Sequence, residues 1–353
     1  MIRLAQLFTG GVGSEIVRRC FRHRDLELVA VLVHSEDKVG RDSGLVVGED
    51  ANGVITTMSL EDVIARKPDA AIYSGMLWDV DMIEKLLCAG INVYTGMGGY
   101  FLPGEPEFER LNAAGLQGGA SLAAGGNIPG LISDVFPLFV TGYTARVNSI
   151  RVWQRNHVST YPSATQIQSG LGIGVEPHAT SEQAAVDAGW LWAMRQSARM
   201  VAAGLGIECS NVIPQDKRVA LATEDMVLPG SGLLVKAGTV AGAQWEFRAF
   251  SGDHEYLRIT NEQTAILGLG PGWRANHEEP PWRVEVDGDP PIVATFGWPN
   301  GVEPGDATSR LNASRAMNMI LRLVSAPPGC VSVLDFPPAV SIGGLGSGTG
   351  RKQ

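Results

Sequence analysis

The chain has 353 residues, of which 44% are hydrophobic and 18% charged, and a formal net charge of −9. That length fits two domains, or one with a large insertion, and the apolar share is ample for a core. The acidic balance argues against nucleic acid or an anionic membrane as the main partner, and no apolar stretch reaches the length of a membrane span. The four cysteines, Cys20, Cys88, Cys209 and Cys330, lie far apart without a C-x-x-C pair. They read as reduced cytosolic thiols with no metal knuckle. The N-terminus runs straight into an apolar strand with no signal-like segment, which leads to the expectation of a cytoplasmic protein.

Residues 2–8 form an apolar run, followed by Thr9-Gly10-Gly11-Val12-Gly13, a helical pattern over 14–21 and a second apolar run over 26–33. Strand, glycine turn, helix and strand in that order aim backbone N–H groups at a helix N-terminus, where the peptide dipoles favour a pyrophosphate. The usual G-x-G-x-x-G fingerprint is incomplete, because Phe8 occupies the first glycine position while Gly10 and Gly13 keep the second and third. A strand-to-helix turn that binds no nucleotide is the plain alternative. Support comes from the end of the second run, where a dinucleotide fold meets the adenosine ribose roughly 20 residues beyond the glycines. Here it reads His34-Ser35-Glu36-Asp37-Lys38-Val39-Gly40-Arg41. Ser35, Lys38 and Arg41 offer donors and positive charge to a 2′-phosphate, and no carboxylate stands at His34. NADP(H) is therefore expected to be preferred and NAD(H) possible, with Glu36 and Asp37 pulling the other way.

Further along, 69–74 predicts a buried parallel strand, 79–89 a helix ending at Gly90, and 91–95 another strand. A helix from about Glu107 and the run at 120–123 continue the alternation, giving a doubly covered parallel sheet. Ligands are expected at the strand C-termini: Thr9 to Gly13, His34-Ser35, Ser74-Gly75 and Thr95-Gly96. After Pro129-Gly130 the pattern changes to strands at 147–154, 218–223, 233–240, 243–250, 256–260, 282–286 and 292–296. These predict an antiparallel sheet with hairpin turns at Gly242 and Asp287-Gly288, interrupted by a long helix at 181–203. A last helix at 307–324 is bounded by Ala326-Pro327-Pro328-Gly329. The expected organisation is a dinucleotide-binding domain at 1–130, an α+β substrate and dimerisation domain at 131–305, a C-terminal helix returning to the first domain at 306–342, and a mobile tail at 343–353. A homodimer is expected through the second sheet, with Trp153 and Trp245 on its open face.

Several separated segments together resemble one family, the dihydrodipicolinate-reductase-like NAD(P)-dependent dehydrogenases that include 2,4-diaminopentanoate dehydrogenase and the native amine dehydrogenases. They are Phe8 to Gly13, the run ending Val33-His34-Ser35 with Lys38 to Gly44, Gly90 to Thr95, Gly126-Asn127-Ile128-Pro129-Gly130, Tyr161 with Leu171-Gly172-Ile173-Gly174, and Ala326 to Gly329. The resemblance implies a Rossmann domain followed by an α+β antiparallel-sheet domain. It also implies hydride transfer between a nicotinamide and a carbon bound to nitrogen or oxygen in a small substrate. It assigns Gly99, Tyr100, Asn127 and Gln154 to the substrate pocket.

There are departures. Amine-forming relatives carry a glutamate after the Asn-Val strand, but Met97-Gly98-Gly99-Tyr100 has none, and Gly99 stands at the matching place. Where relatives show Glu and Asp on the first strand of the second domain, this chain has Gln154 and His157. Amide and imidazole suit a neutral or oxygenated substrate better than an ammonium. The lysine and the Pro-Ser-Gly-Thr segment of true dihydrodipicolinate reductases are also missing, which argues against lysine biosynthesis. His157 and Tyr161 are the candidate proton donors, with pocket lining or ordinary packing as the plain alternative for each, and Tyr100, His178 and Glu105 follow. Three readings result: reduction or oxidation at an imine or amine carbon, a carbonyl or ene reductase on the same fold, and a non-catalytic nucleotide sensor.

Overall fold

A computed structural model describes residues 1–177, 181–265, 281–299 and 301–341. The first half alternates β1 (Ile2–Leu7), α1 (Gly11–Cys20), β2 (Leu26–Leu32), α2 (Ser43–Val46), α3 (Leu60–Ala65), β3 (Ala70–Tyr73), α4 (Val80–Cys88), β4 (Asn92–Thr95), α5 (Phe108–Gly118) and β5 (Ser121–Ala124). The strands are short, almost wholly buried apolar runs, as a parallel sheet covered on both faces requires. Ordinary signals bound the helices: Ser59 and Asp79 cap the starts of α3 and α4, and Gly119 ends α5 in the left-handed region.

The second half contains α6 (Val135–Thr141), β6 (Arg146–His157), α7 (Ser181–Leu205), β7 (Asn211–Pro214), β8 (Arg218–Leu221), β9 (Met226–Val227), β10 (Leu234–Val235), β11 (Val240–Ser251), β12 (His254–Thr264), β13 (Trp282–Asp289) and β14 (Ile292–Phe296). The chain then returns through α8 (Pro304–Leu323) to β15 (Gly329–Cys330). The first sheet has the order β15-β5-β4-β3-β1-β2, all parallel. One face carries α4 and α5, and the other packs α1 beside α8 through Ile16, Ala316, Met317 and Ile320. Strand order reverses beside β1, which opens a crevice at the C-terminal ends of β1 and β3.

The second sheet has the order β14-β13-β6-β12-β11-β7, with β8 also on β11. Its pairings are antiparallel except that β12 runs parallel to β6, so the sheet is mixed. The two glycine turns expected from sequence are not turns. Gly242 lies within β11 beside a bulge, and Gly288 lies within β13 just past one. A Cβ on Gly288 would come 2.4 Å from the Arg146 carbonyl oxygen, so that glycine permits a close backbone approach. The β11–β12 hairpin turns instead at Gly252, whose φ is +58°.

Strand pleating also reverses one expectation about the tryptophans. Trp245 shares a face with Ala243 and Phe247, is 3% exposed, and packs against Trp190 of α7 with ring centroids 5.4 Å apart. It is a core residue under α7 and not part of an open face. Trp153 belongs to the opposite face with Arg283 and is half-buried. That face is laced with ion pairs, Arg248 with Glu255 and Arg283 with Glu285 among them. The expected tail at 343–353, and His178, lie outside the described residues.

Candidate active site

The glycine turn is built although its first glycine is missing. Phe8 takes up the positive φ, +70°, that this position demands. Its ring packs edge-on against Tyr73 and His34, at centroid distances of 5.7 and 5.9 Å, which offsets the strain. Gln6, a buried polar residue in an apolar strand, donates to the carbonyls of Leu7 and Phe8 and to Ser74, tying the turn to the end of β3. Gly13 is obligatory, since a Cβ there would sit 2.0 Å from the Phe8 carbonyl oxygen. Gly10, the N-cap of α1, supplies no side-chain acceptor, has open space where a Cβ would stand, and is followed by no acid in the first turn. The helix N–H groups are thus left for an anionic ligand. Gly11 faces Ser309 of α8 and Pro162, 3.4 and 3.7 Å from where its Cβ would be, while Val12 packs into the core.

At the end of β2, His34 is exposed and offers no carboxylate. The Lys38 ammonium bridges back to the turn, 3.3 Å from the Thr9 hydroxyl and 3.5 Å from its carbonyl oxygen. Ser35 donates to the Asp37 carboxylate, and Arg41 holds the Asp37 carbonyl at 3.2 Å. Of these three residues Lys38 is the one that reaches the turn, while Ser35 and Arg41 are tied to the Asp37 segment beside it.

Across the crevice, a Cβ on Gly75 would collide with the Tyr73 ring, and Thr95 closes the next turn through both backbone groups of Met97. The following turn is held from beneath. Tyr94 donates to the Gly125 carbonyl, the Gly126 N–H donates to Pro129, and the Gly130 N–H donates to the buried Asp134 carboxylate. Burial pushes the Asp134 carboxyl up, against the lowering effect of four donors: the backbone N–H groups of Gly130 and Val135 and the hydroxyls of Ser197 and Ser133. Asn127 spends its side-chain oxygen on the Ile128 N–H. Asn312 of α8 faces Gly126, its oxygen 3.3 Å from where a Cβ would be. Ser309 and Asn312, one helical turn apart, thus line the crevice from a helix that sequence patterning treats only as a packing element.

Gly99 does not open onto this crevice. It has φ +68°, and a Cβ there would stand 2.7 Å from the Trp78 ring; Gly98 is similarly held between Trp78 and Trp192. Tyr100 is buried, its phenol donating to the Gly96 carbonyl at 2.8 Å, and burial pushes its pKa up to about 12. Glu105 pairs with Arg199 of α7, and Glu107 accepts from the Trp78 indole. Residues 98–107 therefore serve as a clasp between the two halves. Gly99→Glu is expected to destabilise the protein by about 1–3 kcal/mol, through positive φ and overpacking, and to install no acid at the site. Thermal melting checks this, and an unchanged midpoint with gained ammonia-dependent activity would contradict it.

On β6 the pleat sends Gln154 and His157 to opposite faces. Gln154 is buried on the helix-facing side, whereas the His157 ring Nε2 lies 3.1 Å from the Ala265 carbonyl and anchors the strand end. Tyr161 leads away from this strand end toward the crevice. It packs against Gly305 at the start of α8, next to Pro162, which approaches Gly11. Burial pushes its phenol up to about 12, tempered by a hydrogen bond with the Thr308 side chain. Of the two candidate donors, Tyr161 is the one standing between the glycine turn and the second sheet.

Among the described residues no cluster of His, Cys, Asp or Glu is arranged to hold a metal, and no helix is long and apolar enough to cross a membrane. The chain is 29% identical to an amine dehydrogenase of Streptomyces virginiae over 98% of both chains. It is 25% identical to the 2,4-diaminopentanoate dehydrogenase of Acetoanaerobium sticklandii, over 93% of this chain and 91% of that one. Its fold matches the solved amine dehydrogenase of Mycobacterium smegmatis with a TM-score of 0.79 at 19% identity, over 96% and 97% of the two chains. A probable dehydrogenase of Thermotoga maritima shares the fold at a TM-score of 0.57 and 17% identity, over 95% and 92%. The profile of the 2,4-diaminopentanoate dehydrogenase C-terminal domain matches residues 131–347, more than half of the chain, and the protein belongs to that family.

Proposed function

We propose that the protein is an NADP(H)-preferring oxidoreductase that interconverts the C–N single and double bonds of a small amine and imine. The observation that carries this reading is the glycine turn: uncapped α1 N–H groups, an obligatory Gly13 and the Lys38 ammonium laid over Thr9 form a cradle that fits a dinucleotide phosphate. Relatives named as an amine dehydrogenase and a 2,4-diaminopentanoate dehydrogenase, each matched over more than nine-tenths of both chains, support the substrate class. Lys38, with Arg41 and Ser35 close by and no acid at His34, supports the 2′-phosphate preference.

A bound nicotinamide supplies hydride to the substrate carbon or accepts it from that carbon. The chain's own residues do the rest. Thr95, Asp134 and Tyr94 fix the turns on which the reacting groups rest. Tyr161, kept protonated by burial and supported by Thr308, donates a proton to the substrate nitrogen or oxygen and recovers it in the reverse direction. The family's acid has no counterpart at Gly99, so activation of free ammonia is expected to be slow.

The test compares NADPH consumption with a ketone alone, the ketone plus ammonia, and a preformed cyclic imine. Turnover is expected with the imine and little or none from added ammonia. Robust ammonia-dependent turnover would show the acid to lie elsewhere. A second reading, carbonyl reduction at the same site, is favoured by the uncharged Gln154 and is scored by the ketone alone. Failure to bind either cofactor in calorimetry would point to a protein outside redox chemistry, such as a sensor.

We also infer a homodimer through the outer face of the second sheet, where Trp153 is half-buried and Val293 of β14, on the same face, is exposed. Light scattering is expected to give twice the chain mass at micromolar concentration, and a monomer would contradict the assignment.

A further inference from the structure

At the C-terminal ends of the central parallel pair, β6 and β12, the inner face of the second sheet turns from apolar to polar. Val152 opposite Ile259 is followed by Gln154 opposite Asn261 and then by Asn156 opposite Gln263. The four amides form a two-by-two array flanked in register by Trp282 on β13 and Trp245 on β11. Gln154, Asn261 and Gln263 are each at most 1% exposed. Within the array, Gln154 donates to Asn156 at 3.3 Å, Gln263 donates to Asn261 at 2.8 Å, and the Trp282 indole also reaches Asn156. Among the described residues, three atoms find no partner: the side-chain oxygens of Gln154 and Gln263 and the side-chain nitrogen of Asn261.

Buried amide atoms left unpaired are costly, and an apolar pair at each position would have continued the core begun by Val152 and Ile259. The array lies between two apolar clusters. One contains Trp245, Trp282 and, from the turn beside the crevice, Ile128 and Leu131; the other contains Val158, Ala241 and Ala265 with Tyr161 against it. We propose that these four amides are the substrate-specificity floor of the site and bind an uncharged hydrogen-bonding substituent, a hydroxyl or carboxamide, on an otherwise apolar amine.

The unpaired set contains both acceptors and a donor. A carboxylate, which only accepts, would face two amide oxygens; an ammonium, which only donates, would meet the Asn261 N–H and no countercharge. Rotating the Asn261 and Gln263 amides together, as their mutual hydrogen bond requires, exchanges one oxygen and one nitrogen and leaves the set neutral and mixed. Asn261 and Gln263 lie in a strand that otherwise reads as ordinary β-structure, so their pairing with Gln154 and Asn156 emerges only from the register.

The inference rests on the amine reading above, so its test includes a measurement that needs no turnover. Amines of one chain length, terminated by methyl, hydroxyl, carboxamide, carboxylate or ammonium, are titrated by calorimetry into the protein carrying NADPH, and their kcat/KM values are then measured with NADP+. The hydroxyl and carboxamide members are expected to bind about 10- to 100-fold tighter than the methyl member, and the two charged members weaker than either. In Asn261→Leu and Gln263→Met that preference is expected to collapse toward unity. Equal binding of the methyl and hydroxyl amines by the unmodified protein, or a preference that survives both substitutions, would overturn the proposal, as would selection of a charged terminus. The wild-type series stands alone if a variant fails to fold, and failure of turnover with the binding preference intact would refute the amine reading and leave the subsite in place.

Discussion

Tyr161→Phe is expected to lower kcat by roughly 10²–10⁴, the range that a positioned general acid supplies, while the Kd for NADPH stays within a few-fold of its unmodified value. The phenol stands at the start of α8 against Gly305, next to Pro162 and close to the glycine turn, with Thr308 as its hydrogen-bond partner. Burial raises its pKa to about 12, so the proton is present throughout the neutral range and is available whenever charge builds on the substrate nitrogen or oxygen. The sign of the pH dependence follows: no loss of activity from Tyr161 ionisation is expected between pH 6 and about pH 11, and any fall in that window belongs to another group. Phenylalanine keeps the ring packing and removes only the hydroxyl. His157→Ala is expected to act differently, because Nε2 sits on the Ala265 carbonyl at the strand end and its loss loosens β6 against β12. That variant should shift the melting midpoint more than kcat. Retention of kcat within a few-fold in Tyr161→Phe would remove it from the chemistry.

The fold was legible wherever burial dictated pattern. Uniformly apolar strands and amphipathic helices with Ser, Asp or Gly at their ends mark the first sheet, because a strand covered on both faces has no polar positions to confuse its outline. The second sheet was less legible in its details. Gly242 and Gly288 look like turn residues from composition alone, yet each sits inside a strand next to a bulge, where partner strands decide the backbone path. Trp245 shows why strand faces are hard to assign from one strand: alternation says that Trp245 and Gln244 point apart, but only α7 says which side is inside. The parallel pairing of β6 with β12 joins residues more than a hundred positions apart, and it creates the amide array that no local window displays. At the site, the glycine turn could be read because its chemistry is contiguous. The contributions of Gln6, Asp134, Ser309 and Asn312 could not, since the role of each appears only when its element is packed.

Lys38→Ala is expected to raise the Kd for NADPH by roughly 10- to 30-fold and that for NADH by no more than about threefold. A charged hydrogen bond to a phosphate is worth about 1.5–3 kcal/mol, and Lys38 is half-buried, so the lower part of that range applies once solvent screening is allowed for. The ammonium spans the gap between the end of β2 and Thr9, which is where a dinucleotide fold places the adenosine ribose. A 2′-phosphate adds up to two negative charges at that point, whereas a 2′-hydroxyl adds none, so removing the cation penalises the two cofactors unequally. Arg41→Ala should show the same sign with a smaller effect, because its guanidinium is committed to the Asp37 carbonyl and reaches the turn only through that segment. Asp37→Asn supplies the converse: weakening the acid that holds Ser35 frees a donor and lowers local negative charge, so NADPH should bind tighter relative to NADH. Equal losses for both cofactors in Lys38→Ala would place the ammonium on the pyrophosphate instead, and the preference for NADP(H) would then have to come from another residue.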